Sequence, residues 1–154
     1  MIQRIQSIYL LAASLMFFFM INNPIAQIIT EDDRMLELNY LFIQTDQADG
    51  FSPVVVWPLS TLLFTVIALG IITIFLFKKR TLQMRLCMFN ILLMFGLIAM
   101  VYYYAKFAPI GIVRSDVLFL WPIVVPFISA ILAYLALKAI QKDDARVKAW
   151  ERLR

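Results

Sequence analysis

Polar side chains able to bind a ligand are concentrated where two apolar segments of this chain begin. Gln3, Arg4 and Gln6 lie at the start of the first segment, and the run KKRTLQMR (78–85) leads into the third. Cations beside helix N-termini, which carry partial positive charge, attract phospholipid headgroups or an acidic partner surface. A membrane topology by itself also requires these cations. They therefore either serve topology alone or form a binding site, and both interpretations stay open. We predict lipid or partner contacts at Gln3, Arg4, Gln6, Lys78, Lys79, Arg80, Gln83, Arg85, Asn90, Arg152 and Arg154.

The chain lacks the residues on which common catalytic sites are built. It has no histidine and a single cysteine, Cys87, which excludes an intramolecular disulfide, a His-ligated haem, a Cys/His zinc site and a Ser-His-Asp triad. An enzyme would have to work with acids such as Glu31 or Asp116 and without a metal-binding cluster. We expect a protein without enzymatic activity, cofactor or metal, and no nucleic acid among its partners.

Two polar residues lie just inside the third apolar segment. Asn90 follows Arg85 by more than one helical turn, and its amide either contacts a ligand or forms an interhelical hydrogen bond that fixes packing. Cys87 has no second cysteine to pair with, so a buried reduced thiol is expected, with acylation at the interface as the alternative.

The elements that position these residues follow from the distribution of charge. The chain is 63% hydrophobic and 16% charged, with a mean hydropathy of +0.85. Residues 5–30, 50–77, 86–105 and 117–137 carry no charge, and about 20 helical residues cross the ~30 Å hydrocarbon layer. The segments lack the alternation of a barrel strand. We therefore predict one all-α domain over 1–154, a four-helix transmembrane bundle with spans at 6–27, 54–77, 85–106 and 117–140.

Charge asymmetry predicts the orientation. Eleven of the 14 basic residues lie at the chain ends and in the loop between spans two and three, and seven of the ten acids lie on the other side. By the positive-inside rule both termini face the cytoplasm of a bacterial inner membrane. A cleaved signal peptide is disfavoured because Asn22-Asn23-Pro24-Ile25-Ala26 lacks a small-x-small site.

Aromatic residues support this orientation, because an aromatic belt marks a membrane interface. They cluster near the outer ends of spans two to four. They are Trp57, Tyr102, Tyr103, Tyr104 and Trp121.

The segments outside the membrane carry weaker patterns. In the first outer loop, apolar residues alternate from Leu36 to Phe42, and Asp49-Gly50 is a turn signal, which predicts a short β-hairpin with an interfacial helix as the alternative. Residues 141–154 have good helix formers and continue the fourth helix as a tail. This tail is either a solvated helix end or an interfacial, partner-facing helix.

The fourth span carries small residues and prolines. Ser129, Ala133 and Ala136 form a small-residue stripe that permits close approach of another helix. Pro126 lies well inside a helix that begins at Val117, so a kink is expected there.

Three stretches of the sequence resemble a known family. MIQRIQSIYLLAA (1–13), KKRTLQMRLCMFN (78–90) and KDDARVKAWERLR (142–154) resemble the signature stretches of the bacterial four-span family called domain of unknown function 4293. The resemblance covers the whole chain and implies an inner-membrane protein, without adding a catalytic residue. All three stretches lie on the predicted cytoplasmic face.

These observations favour a non-enzymatic accessory or structural subunit that acts through protein or lipid contacts at its cytoplasmic face. The expected partners are anionic headgroups and other inner-membrane proteins. The alternative is a binder or transporter of a small apolar ligand, a lipid or a quinone, with a cavity lined by Asn90, Tyr102 to Tyr104 and the kinked fourth helix.

Overall fold

The computed structural model describes residues 3–30, 35–45, 53–77, 79–107 and 114–152. Helices α1 (Gln3–Asn22), α2 (Trp57–Phe75), α3 (Arg80–Phe107) and α4 (Val125–Arg152) form the bulk of this part, and a 3₁₀ turn, Trp121–Val124, precedes α4. The strands are β1 (Ala26–Thr30), β2 (Met35–Leu38), β3 (Phe42–Thr45), β4 (Val54–Val55) and β5 (Arg114–Phe119).

The four helices pack side by side, α1 against α2 and α4, and α3 against α2 and α4. Leu10, Ala13, Phe17 and Met20 recur at helical spacing on α1 and are buried in the common core. Large apolar side chains also cover the outside of the bundle, as at Leu92 on α3. A helix bundle whose core and outer surface are both apolar requires hydrocarbon rather than water as its solvent.

Three helical segments are long and apolar enough to cross a membrane, namely Trp57–Phe75, Arg80–Phe107 and Trp121–Ala145. The apolar part of α1, Gln6–Asn22, is shorter. The length and composition of these helices are those of a multi-pass membrane protein.

A five-stranded antiparallel sheet in the order β4-β3-β2-β1-β5 closes one end of the bundle, which we call the sheet end. Its buried face carries Ile28, Leu36, Leu38 and Ile43, all fully buried. The pairing of β2 with β3 confirms a hairpin in the predicted loop, with its turn at 39–41 inside the alternating stretch, and the alternative of an interfacial helix is wrong. Asp49-Gly50 lies outside the described residues.

The first helix ends at Asn22, and the prediction that it runs to residue 27 is wrong. The side-chain amides of Asn22 and Asn23 donate to the carbonyl oxygens of Phe18 and Phe19, at 2.7 and 2.9 Å. These bonds satisfy carbonyls that a continued helix would use, and Pro24 disfavours helical geometry in the residue before it. The chain then enters β1.

The fourth helix begins at Val125, so the predicted start at residue 117 is wrong. Arg114–Phe119 is a strand because it pairs with β1, with Ile28 opposite Val117. Pro126 consequently lies in the first turn of α4, where no intrahelical donor is lost. The premise of the predicted kink, that Pro126 lies deep in a helix beginning at Val117, is therefore wrong.

The second and third helices also begin at other residues than predicted. The second helix begins at Trp57 rather than 54 because Val54–Val55 pairs with β3. The third begins at Arg80 rather than 85, so its basic start is helical. The C-terminal tail continues α4 as a helix to Arg152, as predicted.

Candidate functional site

The end of the bundle opposite the sheet is formed by the start of α1, residues 79–85, and α4 from Lys138 to Arg152, and we call it the basic rim. A tight turn joins α2 to α3, in which Leu76 N–H donates to Ile72 O and Lys79 N–H to Leu76 O. The turn places the start of α3 beside the far end of α4.

An ion pair ties these two elements together. Arg80 Nη2 lies 3.2 Å from Asp143 Oδ2, and Arg80 Nη1 donates to the backbone oxygen of Asp143 at 3.3 Å. Asp143 was not among the predicted site residues. An acidic residue in a basic segment is the one signal in the sequence that could have pointed to Asp143. Its partner Arg80 lies 63 positions away, so the sequence does not show which cation it pairs with.

The other predicted rim cations differ in how the structure places them. Lys79 and Arg85 are exposed, while Arg80 is half-buried in its ion pair. Gln3, Arg4 and Arg152 lie within helices, and the described part of the structure does not extend to their side chains. Lys78 and Arg154 lie outside the described residues. The solvent-facing cations of known placement therefore flank the Arg80–Asp143 pair.

Three predicted site residues point into the bundle and not to its rim. Gln6 and Gln83 are 3% exposed and Asn90 is 2% exposed. Gln83 Nε2 donates to Thr73 O at 3.1 Å, which joins α3 to the end of α2. Gln6 Nε2 and Asn90 Oδ1 have no hydrogen-bond partner among the described residues. The predicted set thus divides into a charged surface and a buried amide group behind it.

Asn90 lies where α1, α2 and α3 meet. A Cβ on Gly70 would stand 3.6 Å from Asn90 Nδ2 and 2.5 Å from Ser14 Oγ. Gly70 therefore permits a close approach of α2 to α1. Ser14 and Gly70 were not predicted, because their role depends on which helices become neighbours.

The small-residue stripe of α4 contacts both neighbouring helices. Ser129 Oγ donates to Ala13 O of α1 and Cys87 Sγ to Ala133 O, each at 3.2 Å. Ser129, Ala133 and Ala136 are fully buried. The predicted packing role of the stripe is confirmed, and so is the buried thiol.

An apolar groove of about 460 Å³ lies between α1 and α2. It differs from the predicted ligand cavity, whose lining of Asn90, Tyr102 to Tyr104 and a kinked fourth helix does not form this groove. Hydropathy identifies apolar lining residues of this kind as lipid-facing, but it does not show between which two helices a groove forms. Its lining residues are Leu11, Ser14, Leu15, Phe18, Ile21, Phe64, Ile67, Ile71, Ile74 and Phe75.

Exposed aromatic residues surround the sheet end. Tyr102 stacks on Phe119 with 6.2 Å between ring centroids, and Lys106 Nζ lies 5.6 Å from the Tyr102 ring. Trp121 contacts Phe19 edge-on. Tyr and Trp, whose rings carry a polar group on an apolar body, are typical of a membrane interface.

In the part of the chain that the structure describes, no three Cys, Asp or Glu side chains come together as a metal site. The features that the described residues do offer for binding are the charged rim, the buried amides and the apolar groove.

Comparison with protein families identifies a relationship over nearly the whole chain. The family model described as "Domain of unknown function (DUF4293)" matches residues 2–153. No curated protein matches the chain.

Proposed function

The chain belongs to the DUF4293 family, and from this premise we propose that it is a non-enzymatic accessory or structural protein of the bacterial inner membrane. It acts through contacts of its basic rim with anionic lipid headgroups and with neighbouring inner-membrane proteins. All four helices span the bilayer, and both termini and the basic rim face the cytoplasm.

The dimensions of the helices support four spans. The 20 residues of α1 extend about 30 Å, which equals the hydrocarbon thickness. Its neighbours α2 and α4 are long apolar helices that enclose its buried face. The concentration of Lys and Arg at the rim supports the cytoplasmic orientation.

The Arg80–Asp143 pair is the observation that carries the proposed function. It combines an ion pair with a second hydrogen bond to backbone, so it holds the end of α4 against the start of α3. The exposed side chains of Lys79, Arg85 and Lys142 then surround this fixed point as a preorganised cationic surface. Preorganisation lowers the entropy that binding has to overcome.

Photo-crosslinking in intact membranes tests this proposal. A photoreactive residue replaces Arg85 or Lys148, and mass spectrometry identifies the trapped species, with Lys106 at the sheet end as the control position. The expected result is a discrete protein or an enrichment of anionic phospholipid at the two rim positions and not at Lys106. Trapping of bulk phospholipid in the same proportions at all three positions would contradict the proposal.

The groove between α1 and α2 favours a second candidate, a binder of a small apolar ligand such as a lipid or a quinone. Its volume is within the range of small-molecule sites, about 300–1,000 Å³. Extraction of the purified protein with organic solvent tests it, since a stoichiometric quinone would support this candidate and its absence would count against the quinone.

A further inference from the structure

Three strands of the sheet join helices at the same end of the sheet. Strand β1 begins just after α1, and β4 and β5 end just before α2 and the 3₁₀ turn. The strand register brings these junctions into one row across all five strands, which we call the proximal row. The row consists of Phe119, Ala26, Leu38, Ile43 and Val54. Farther along the strands, Met35 pairs with Ile29, about 10 Å from the row.

The proximal row lies close to the start of two apolar spans. Trp57 and Trp121 are the first residues of helical segments that are long and apolar enough to cross a membrane. Val55 precedes Trp57 by two residues, as Phe119 precedes Trp121. Two residues extend at most about 7 Å, and the headgroup region on each side of the hydrocarbon is about 5–8 Å thick. With the spans starting at the two tryptophans, the chain holds Val55 and Phe119 at the headgroup level.

The side chains at both edges of the sheet continue the lipid-facing surface of the bundle. Strands β4 and β5 are the outer strands, and the four residues at their junctions with the helices are all exposed. Phe119 stacks on Tyr102 of α3, and Trp121 contacts Phe19 of α1 edge-on. Tyr102 and Phe19 are exposed too. The apolar outer surface of the helices therefore extends without a break onto the edges of the sheet.

The backbone of β5 is adapted to an edge that meets little water. Leu120 N–H donates to Ile25 O next to β1, so by the alternation of an antiparallel ladder Val117 N–H points away from β1. Asp116 Oδ1 accepts a hydrogen bond from this N–H at 2.7 Å. The edge donor is thus satisfied within its own strand, which lowers the cost of an environment poor in water. The same bond disfavours pairing with a strand of another protein.

We propose that the two edges of the sheet bind phospholipid of the leaflet at the sheet end, with the proximal row among the headgroups and the far part of the strands in water. Contacts at this surface are apolar and aromatic, so they do not require an anionic headgroup, in contrast to those at the basic rim. The inference rests on the proposed function, because it requires α2 and α4 to span the bilayer.

Tryptophan fluorescence of the full-length protein in proteoliposomes tests this surface. The background is the chain with its three tryptophans changed to phenylalanine, and one tryptophan is then introduced at a time. Val55→Trp and Phe119→Trp report on the two edges, Met35→Trp on the far part of the sheet and Leu92→Trp on the middle of α3. All four positions are exposed, so the new ring lies outside the core. The quenchers are phosphatidylcholine with a nitroxide on the headgroup, phosphatidylcholine with a nitroxide in the middle of the acyl chain, and iodide on both sides of the membrane.

At positions 55 and 119 we expect the headgroup nitroxide to quench more strongly than the mid-chain nitroxide, and iodide to quench less than it does at position 35. The order of the two nitroxides reverses at position 92, and iodide is the strongest quencher at position 35. Iodide quenching at positions 55 and 119 that equals that at position 35, without quenching by either lipid, would overturn the proposal and place the whole sheet in water. Protection of both edge positions from all three quenchers would also overturn it, in favour of a second copy of the chain covering the edges.

Position 92 separates the failure of this proposal from the failure of its premise. Without mid-chain quenching at position 92 the bundle does not span the bilayer, and the lipid surface and the four-span arrangement are rejected together. Mid-chain quenching there, combined with edges that only iodide reaches, rejects the lipid surface of the sheet and leaves the proposed function intact.

Discussion

Ser14 of α1 lies directly against Gly70 of α2, so that a Cβ on Gly70 would stand 2.5 Å from Ser14 Oγ. The hydroxyl donates to Leu10 O within its own helix, and the missing side chain of Gly70 leaves room for it. Ser14 also lines the groove, and Asn90 Nδ2 lies 3.6 Å from where a Cβ on Gly70 would stand. One small residue on each helix thus sets the spacing on which the groove depends.

Alanine at Gly70 should destabilise the bundle. The added methyl displaces the Ser14 hydroxyl, and overpacking of this kind costs about 1–3 kcal/mol. Gly96 on α3 is the matched control, since a Cβ there meets nothing within 4 Å. We expect Gly70→Ala to lower the melting temperature in detergent and Gly96→Ala to hold or raise it. In a Ser14→Ala background the loss should largely disappear, and an equal loss there would show that the hydroxyl is not its cause.

The two buried glutamines should respond to leucine with opposite signs. Gln83→Leu removes the bond to Thr73 O and leaves that oxygen without its partner, which lowers the stability by about 1–2 kcal/mol. Gln6→Leu removes an amide nitrogen that has no partner among the described residues, so the stability stays level or rises. Thermal unfolding of both variants measures the difference. A loss for Gln6→Leu as large as that for Gln83→Leu would contradict the assignment of the unpaired amide.

Breaking the Arg80–Asp143 pair should loosen the end of α4 while the bundle remains folded. The two side chains are 28% and 18% exposed, so the loss of stability from Asp143→Asn is at most about 1 kcal/mol. Hydrogen exchange of amides around residue 143 should become faster by up to about fivefold, and high salt should have a similar effect on the wild type. Lys142→Gln is the adjacent control, and equal acceleration in both variants would exclude the ion pair as the cause.

Cysteine labelling tests the orientation. Cys87 is buried and donates to Ala133 O, so we expect it to resist maleimides until the protein is denatured. In a Cys87→Ser background, Lys142→Cys and Gln44→Cys each place a thiol at an exposed position, one at each end of the bundle. An impermeant maleimide added to intact cells with a permeabilised outer membrane should label position 44 and spare position 142. Labelling of position 142 would reverse the orientation.

Charge and hydropathy along the chain were sufficient to predict the membrane class, the four helices and the hairpin, because each is a property of neighbouring residues. The helix ends that were predicted too long by several residues, at the end of α1 and the start of α4, adjoin the sheet. Residues 117–119 are as apolar as a span, but opposite β1 they gain the hydrogen bonds of a strand. Nothing within that segment distinguishes the two outcomes, since its partner strand lies far away in the sequence.

The same division holds for the candidate site. The sequence by itself determined that polar residues gather at the ends of the first and third segments, since charges cannot enter hydrocarbon without a large cost. Only the tertiary structure decided that Gln83 is paired, that Asp143 fixes Arg80, and that α1 and α2 leave a groove. Those outcomes depend on which helix faces meet, and the meeting of faces is set by the packing of the whole bundle, which no single segment encodes.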